Sequence, residues 1–425
     1  LGDALSAALV VDTARNWLVE RGTIAVNDGT ARVDPRAGLA LRGSVDVLDV
    51  DGWLDHFKGR DGASENGLRT ANLSFNEASV FGQTLTAGRF TLDRNVREWL
   101  IEVESPEANG AIFLPRDYAS FREPVIANLQ SLRWASGGED SEGVDPRTLP
   151  SLRLDVQDFW FDDMNFGQLT AQIERFEDGL RIERINTVGR GFEGRASGAW
   201  RYAGGSPSQF SVTIDSTDVR TTMEALGSVG AIDSDEATFA MDLNWDDELD
   251  GGFLRDVYGQ VSIAVSDGNL LSVDPKAGRV FGLISLAALP RRLGLDFRDV
   301  FQKGFAFDAI EGNFSVRNGN AFTDNLTLRG PAAQVAVVGR AGIADKDYEQ
   351  TASVYANFGS SLPIAGAIAG GPAVGAALLI FSEVFKDPLK QIGRVDYRIT
   401  GSWEDPVIAR INAGPSTAPA PQSDP

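Results

Sequence analysis

The chain has no cysteine, three methionines and a single histidine in 425 residues. Without cysteine there are no disulfides and no thiolate metal sites. With only His56, a zinc site of Cys and His ligands is excluded. A Ser–His–Asp hydrolase would have to use that one imidazole, and no G-x-S-x-G elbow accompanies it. His56 stands beside Trp53 and Phe57, so it reads as a structural or surface residue. Positive charge is also scarce: 39 Lys and Arg against 60 Asp and Glu, a formal net charge of -21. That balance argues against a nucleic-acid partner, which needs a basic surface. It also disfavours non-specific adsorption to anionic headgroups. The sequence opens Leu1-Gly-Asp-Ala4 with no initiator Met and no signal peptide. A fragment or processed chain is expected, with any membrane anchor upstream.

What is present is a β pattern. Leu73/Phe75, Phe90/Leu92, Trp99/Ile101/Val103, Leu152/Leu154/Val156, Phe210/Val212/Ile214, Phe239/Met241/Leu243/Trp245, Val261/Ile263/Val265 and Val395/Tyr397/Ile399 all alternate with mostly polar residues. Each predicts a strand with one apolar and one wet face. Such strands belong to antiparallel sheets, and the Asp, Gly and Asn punctuation between them predicts hairpins. Val45-Asp-Val47 shows the same alternation. Helices are expected at Ala4–Glu20, where Leu5, Leu9, Trp17 and Leu18 share a side, at residues 51–57 with Asp49 or Asp51 as cap, and at Asp218–Gly227. Phe81-Gly-Gln83, Phe166-Gly-Gln168 and Tyr258-Gly-Gln260 each precede an alternating strand and form a weak internal repeat. Ala135–Pro150 is acidic and rich in Gly and Pro, the best internal boundary. Residues 413–425 read as a disordered tail.

More than ten strands offer an apolar face, and too few amphipathic helices exist to cover them. The faces either close on one another as a sandwich or barrel, or line a groove holding something other than protein. At ~25 cal/mol per Å2, each ~100 Å2 of apolar surface left in water forgoes ~2.5 kcal/mol. A persistent open face therefore implies a ligand. Two apolar inserts stand apart. Residues 362–381 carry no charge and are as long as a membrane span, but Pro363, Pro372 and Gly370-Gly371 break them. They read as two short helices, either capping the sheet or dipping into a bilayer. A helix at 276–289 places Val280, Leu283 and Ile284 on one face and ends at Pro290.

No chemistry emerges. Asp162-Asp163 and Asp246-Asp247 fall at strand ends, where solvated turn residues are the default. Asp233-Ser-Asp235-Glu236 lacks the Gly and distal Glu of a calcium loop. Gly189–Gly194 spells G-x-G-x-x-G but runs into a strand-like segment where a dinucleotide site needs a helix.

Several blocks resemble a known family. Asp274-Pro-Lys-Ala-Gly-Arg-Val-Phe-Gly-Leu283, Leu289-Pro-Arg-Arg-Leu293, Leu295–Phe301, Gly304-Phe-Ala-Phe-Asp308, Thr323-Asp-Asn-Leu326, Gly330–Val335 and Ile399-Thr-Gly-Ser-Trp-Glu-Asp-Pro406 resemble the C-terminal part of the YhdP family of AsmA-like proteins. Asp49-Val-Asp-Gly-Trp53 and Ala237–Trp245 fit as well, and the likeness is strongest from about Ala237 to Ile408. The resemblance implies a mainly β fold: an elongated, twisted antiparallel sheet curved into a U-shaped hydrophobic groove, with a few short helices and a helical cap near the C-terminus. The segments implied are 1–134 and 151–273 as groove repeats around the 135–150 loop, then 274–412 with helical inserts at 276–289 and 362–386, then the tail.

It implies, further, a non-enzymatic lipid conduit of the Gram-negative periplasm, tethered to the inner membrane by an N-terminal anchor. Such a conduit carries phospholipid acyl chains between the inner and outer membranes without cofactors. Its partners would be phospholipids, the inner leaflet of the outer membrane at the distal end, and envelope proteins. Groove candidates are Phe239, Met241, Leu243, Val261, Ile263 and Val265; membrane-contact candidates are Ile364, Ile368, Leu378, Leu379, Ile380 and Phe381. The alternative is a non-catalytic envelope scaffold or outer-membrane assembly factor.

Overall fold

The computed structural model describes residues 4–13, 18–50, 52, 67–80, 82–116, 123–136, 144–202, 205–246, 253–271, 305–356 and 394–411. The expected helices at 276–289 and 362–386, His56, the six membrane-contact candidates and the tail lie outside these residues. The described chain is mainly β, in two compact units.

The first unit comprises residues 1–189, 194–208 and 247–251. It holds β1 (Leu5–Asp12), β2 (Leu18–Val26), β3 (Gly38–Asp49), β4 (Leu68–Val80), β5 (Gln83–Arg94), β6 (Glu98–Glu104), β7 (Ala108–Pro115), β8 (Val125–Trp134), β9 (Leu152–Phe161), β10 (Met164–Phe176), β11 (Gly179–Gly189) and most of β12 (Phe192–Arg201). From β1 to β11 each strand pairs with the next. Most pairs are antiparallel, as the hairpin punctuation predicts. The pairs β2–β3, β3–β4 and β8–β9 are parallel. These follow the longer connections, because only a long connection returns the chain to the end where it started. The Ala135–Pro150 stretch is thus the link between two paired strands. Within it, Pro146–Thr148 form one 3-10 turn capped by Asp145.

The helix expected over residues 4–20 is not formed; β1 and β2 pair there as a hairpin, Leu5 opposite Val26. The reason lies in the spacing. Leu5 and Leu9 are four apart, which suits one face of a helix and equally one face of a strand. Val10, Val11 and Val19 then tip the balance to the extended form. Of the helix expected at 51–57 only Gly52 is among the described residues; its N–H donates to Asp49 Oδ1 at 2.8 Å.

The second unit comprises residues 190–193, 209–246 and 252–425. It holds β13 (Ser208–Ser216, from Gln209 on), the helix α1 (Val219–Ala225), β14 (Ile232–Trp245), β15 (Tyr258–Leu270), β16 (Phe305–Arg317), β17 (Asn320–Arg329), β18 (Ala333–Gly342), β19 (Asp347–Ala356), β20 (Arg394–Ser402) and β21 (Pro406–Arg410). From β14 to β21 every consecutive pair is antiparallel. Helix α1 starts where expected, with the Asp218 side chain accepting from the Thr221 N–H at 2.9 Å.

The repeated aromatic–Gly–Gln triplet does not mark one repeated structure. Gly82 lies in the turn between β4 and β5, in a left-handed conformation with open space around it. Gly167 lies inside β10, also left-handed, where a side chain would strike the Val188 carbonyl of β11. Glycine is needed at both, for a turn in one and for backbone contact in the other.

Candidate functional site

In a sheet, residues that share a face line up across strands wherever the register holds. In the first unit it holds a long way. Ile24, Leu41, Ala71, Leu92, Ile101, Ile112, Ala127, Leu154, Ala171 and Ile185 are successive partners from β2 to β11. A second line beside it runs Leu73, Phe90, Val103, Gly110, Leu129, Val156, Leu169. Every member is apolar or glycine. Two clusters fill this face: one around Leu73, Phe75 and Val103, the other around Leu129, Val156 and Leu169. Yet Ile24, Leu41, Leu92, Ile101, Ile112, Leu154 and Ile185 all remain partly exposed.

The opposite face is polar along the same strands. Asn72, Thr91, Glu102, Ala111, Asn128, Asp155, Thr170 and Asn186 form its matching line, with one alanine among them. The Thr91 hydroxyl donates to Glu102 Oε2 at 3.0 Å. Nearby, burial raises the Glu107 carboxyl, but the Thr86 N–H and hydroxyl, at 2.8 and 2.7 Å, outweigh it and hold it below the usual range.

The second unit has its own line: Ala237, Val265, Ile310, Leu328, Val335, Val354 and Val395, from β14 to β20. Here the middle is closed off from water: Val265, Ile310, Leu328, Val335 and Val354 are all 5% exposed or less. The six groove candidates come together on this face. Phe239 opposes Ile263 and Met241 opposes Val261, with Val265 and Leu243 flanking them. Val261, Ile263 and Val265 are buried, whereas Phe239, Met241 and Leu243 are partly exposed. Tyr348 lies on this face as well, where burial pushes its phenol well above the ordinary range. Its ring lies near that of Trp403, whose indole N–H donates to the Asp347 carbonyl at 3.1 Å.

The sequence pattern picked out six residues on β14 and β15. It missed the longer, more exposed line on β2 to β11. The alternation in Phe90/Leu92, Trp99–Val103 and Leu152–Val156 was its signal, but alternation assigns a residue to a face without saying which residues meet.

Two of the acidic residues have partners within the fold. Asp162, left-handed at the β9–β10 turn, accepts from the Ser136 N–H at 2.8 Å and from its hydroxyl at 3.1 Å. Asp233 pairs with Arg220 at 2.8 Å. The Gly189–Gly194 stretch runs from the end of β11 through a two-residue turn into β12, not into a helix. Among the described residues no three His, Asp or Glu gather as a metal site would require, and no helix is long and apolar enough to cross a membrane.

Comparison with known proteins gives two matches. The family described as "YhdP protein" matches residues 1–408. The Intermembrane phospholipid transporter YhdP of Escherichia coli (strain K12) is 24% identical over 367 residues, 81% of this chain and 27% of its own length. The chain thus spans about a quarter of that relative. No solved structure matches. With nearly its whole length covered by the family's pattern, and with the alternating strands that the resemblance led one to expect, the chain belongs to the YhdP family.

Proposed function

We propose that this chain binds phospholipid acyl chains on the apolar face of its sheet and forms part of a conduit moving phospholipids between the inner and outer membranes of a Gram-negative envelope. The observation that carries this reading is the line from Ile24 to Ile185, apolar on ten strands in succession and partly open to solvent. With strands ~4.8 Å apart, such a line runs on the order of 40 Å. Each methylene that leaves water for it gains about 0.8 kcal/mol. That gain is non-directional, so a tail can slide from one strand to the next at little cost while its headgroup stays wet. Sliding requires no acid, base or nucleophile, and we read the chain as a carrier, not an enzyme.

The name of the E. coli relative, an intermembrane phospholipid transporter, supports phospholipid as the ligand. A curved groove, a periplasmic location, an inner-membrane anchor elsewhere in the protein and contact with the outer membrane belong to the same reading. Phe239, Met241, Leu243, Val261, Ile263 and Val265 would line the second unit's share of the path.

The test is native mass spectrometry with lipid extraction on the full chain, purified under mild conditions. Several phospholipids per chain are expected. A lipid-free, monodisperse chain that takes up no fluorescent phospholipid would overturn the reading and leave a protein-binding envelope scaffold in its place.

A further inference from the structure

A buried tryptophan usually finds an acceptor for its indole N–H. Trp160 donates to Asp158 Oδ2 at 2.9 Å, and Trp403 to the Asp347 carbonyl at 3.1 Å. Trp245 is the exception. It is 8% exposed, and its Nε1 is shut off from water with no hydrogen-bond partner among the described residues. Two arginine Nε atoms are also buried without a partner, but each of those guanidiniums is engaged through another nitrogen. Arg69 pairs with Asp34 at 2.6 Å and Arg220 with Asp233 at 2.8 Å. A buried donor without an acceptor carries its full desolvation penalty. An acceptor arriving at the Trp245 indole would relieve it.

Trp245 is the last residue of β14, and alternation puts it on the apolar face with Phe239, Met241 and Leu243. Those three are partly exposed, as is Ala237. The strip they form has a buried boundary at each end. At the start of the strand α1 packs on β14, Arg220 pairs with Asp233, and Ile232 and Ser234 are buried. At the far end stands the buried indole. Alongside the strip, Val261, Ile263 and Val265 of β15 are apolar and buried. From Ala237 to Leu243 the strip runs ~20 Å, room for the ~15 Å of hydrocarbon in one leaflet of a bilayer.

The chemistry of the donor narrows the occupant. One neutral N–H in an apolar setting does not hold a phosphate or a carboxylate, because burying an unpaired charge costs far more than one hydrogen bond contributes. It holds a single neutral acceptor. In a glycerophospholipid that acceptor is an ester carbonyl, which lies where the hydrocarbon tail begins. We propose that an acyl chain of a glycerophospholipid lies along β14, over Phe239, Met241 and Leu243, with its ester carbonyl accepting from Trp245 Nε1. The carbonyl enters past Leu243, the partly exposed member of the strip next to the indole. This inference rests on the lipid-carrying reading above and adds a fixed seat on the path. Apolar contact is non-directional and lets a tail slide, whereas a hydrogen bond has one position.

The test follows the indole itself by NMR, in the full chain freed of lipid and labelled at its tryptophan indole nitrogens. The Trp245 signal is the one removed by Trp245→Phe and, as a check, by Trp245→Tyr. Vesicles of a diester phosphatidylglycerol should move the Trp245 N–H proton downfield. Vesicles of the dialkyl ether analogue, with the same headgroup and tail length but no carbonyl, should be taken up and leave that proton in place. Uptake of the diester with an unmoved Trp245 proton overturns the assignment and leaves the carrier reading standing. An equal shift with both lipids also overturns it, since the ether offers no carbonyl. A shift with palmitate and none with the diester would give the seat to a free fatty acid and overturn it too. If the unaltered chain takes up neither phospholipid, the carrier reading itself fails, and the seat with it.

Discussion

At the scale of single residues, the two faces of each strand set very different tolerances. Phe314, on β16, is fully buried and sits opposite Val261. Phe314→Ala should cost roughly 3–5 kcal/mol, read as a lower urea midpoint. Val96, in the β5–β6 turn, is 87% exposed, and Val96→Ala should change that midpoint by less than about 0.5 kcal/mol. Gly167 combines a φ of 68° with a neighbouring backbone carbonyl where a side chain would lie. Gly167→Ala should therefore destabilise by about 1 kcal/mol or more, even though alanine is small. If its thermal midpoint equals that of the unaltered chain, the close approach of β10 to β11 is not as described.

Among the elements, α1 offers a titration test. The Thr221 N–H, and then its hydroxyl, hold the Asp218 carboxyl below the usual carboxylate range. A depressed folded-state pKa contributes stability above the unfolded value, near 3.9, and loses it as pH falls through the folded one. The stability advantage of the unaltered chain over Asp218→Ala should be about 1 kcal/mol at pH 7 and shrink below about pH 4. An advantage that does not change with pH would show that the charge is not what caps the helix.

The elements also show how far the sequence could be read. Strands with one wet face, such as β4, β9 and β15, announce themselves by alternation. β18 does not, because Val335, Ala336 and Val337 are all buried and both faces read as apolar. In β3 the alternation of Val45 and Val47 misleads: Val47 is 66% exposed opposite Glu77, and the buried residue is Leu48. The β1–β2 hairpin was hidden by a leucine spacing that fits two periods. Parallel neighbours were illegible, since which strand a long connection returns to is settled by pairing between distant residues. The same holds for the apolar line itself. Its members were visible one strand at a time, and only register joins them.

For the whole molecule, the prediction concerns cargo. Leu92→Asp and Ile112→Asp place a charge in the partly exposed line, where water can still reach it. Each should fold and hold fewer lipids per chain by native mass spectrometry. Thr91→Asp, on the polar face of the same strand, should hold as many as the unaltered chain. Equal lipid content in all three variants would mean that the line is not the path.

The pairing of each strand with its sequence neighbour from β1 to β11 has a consequence for descent. No strand needs a partner from far along the chain, so length can change without redesign. The natural increment is a hairpin. Two strands gained or lost alter the path by ~10 Å and leave every later strand running in its original sense. A single strand gained through an antiparallel turn would turn all the later ones around. A lineage that must match a changing gap between two surfaces can therefore do so in small steps, each one a folded protein.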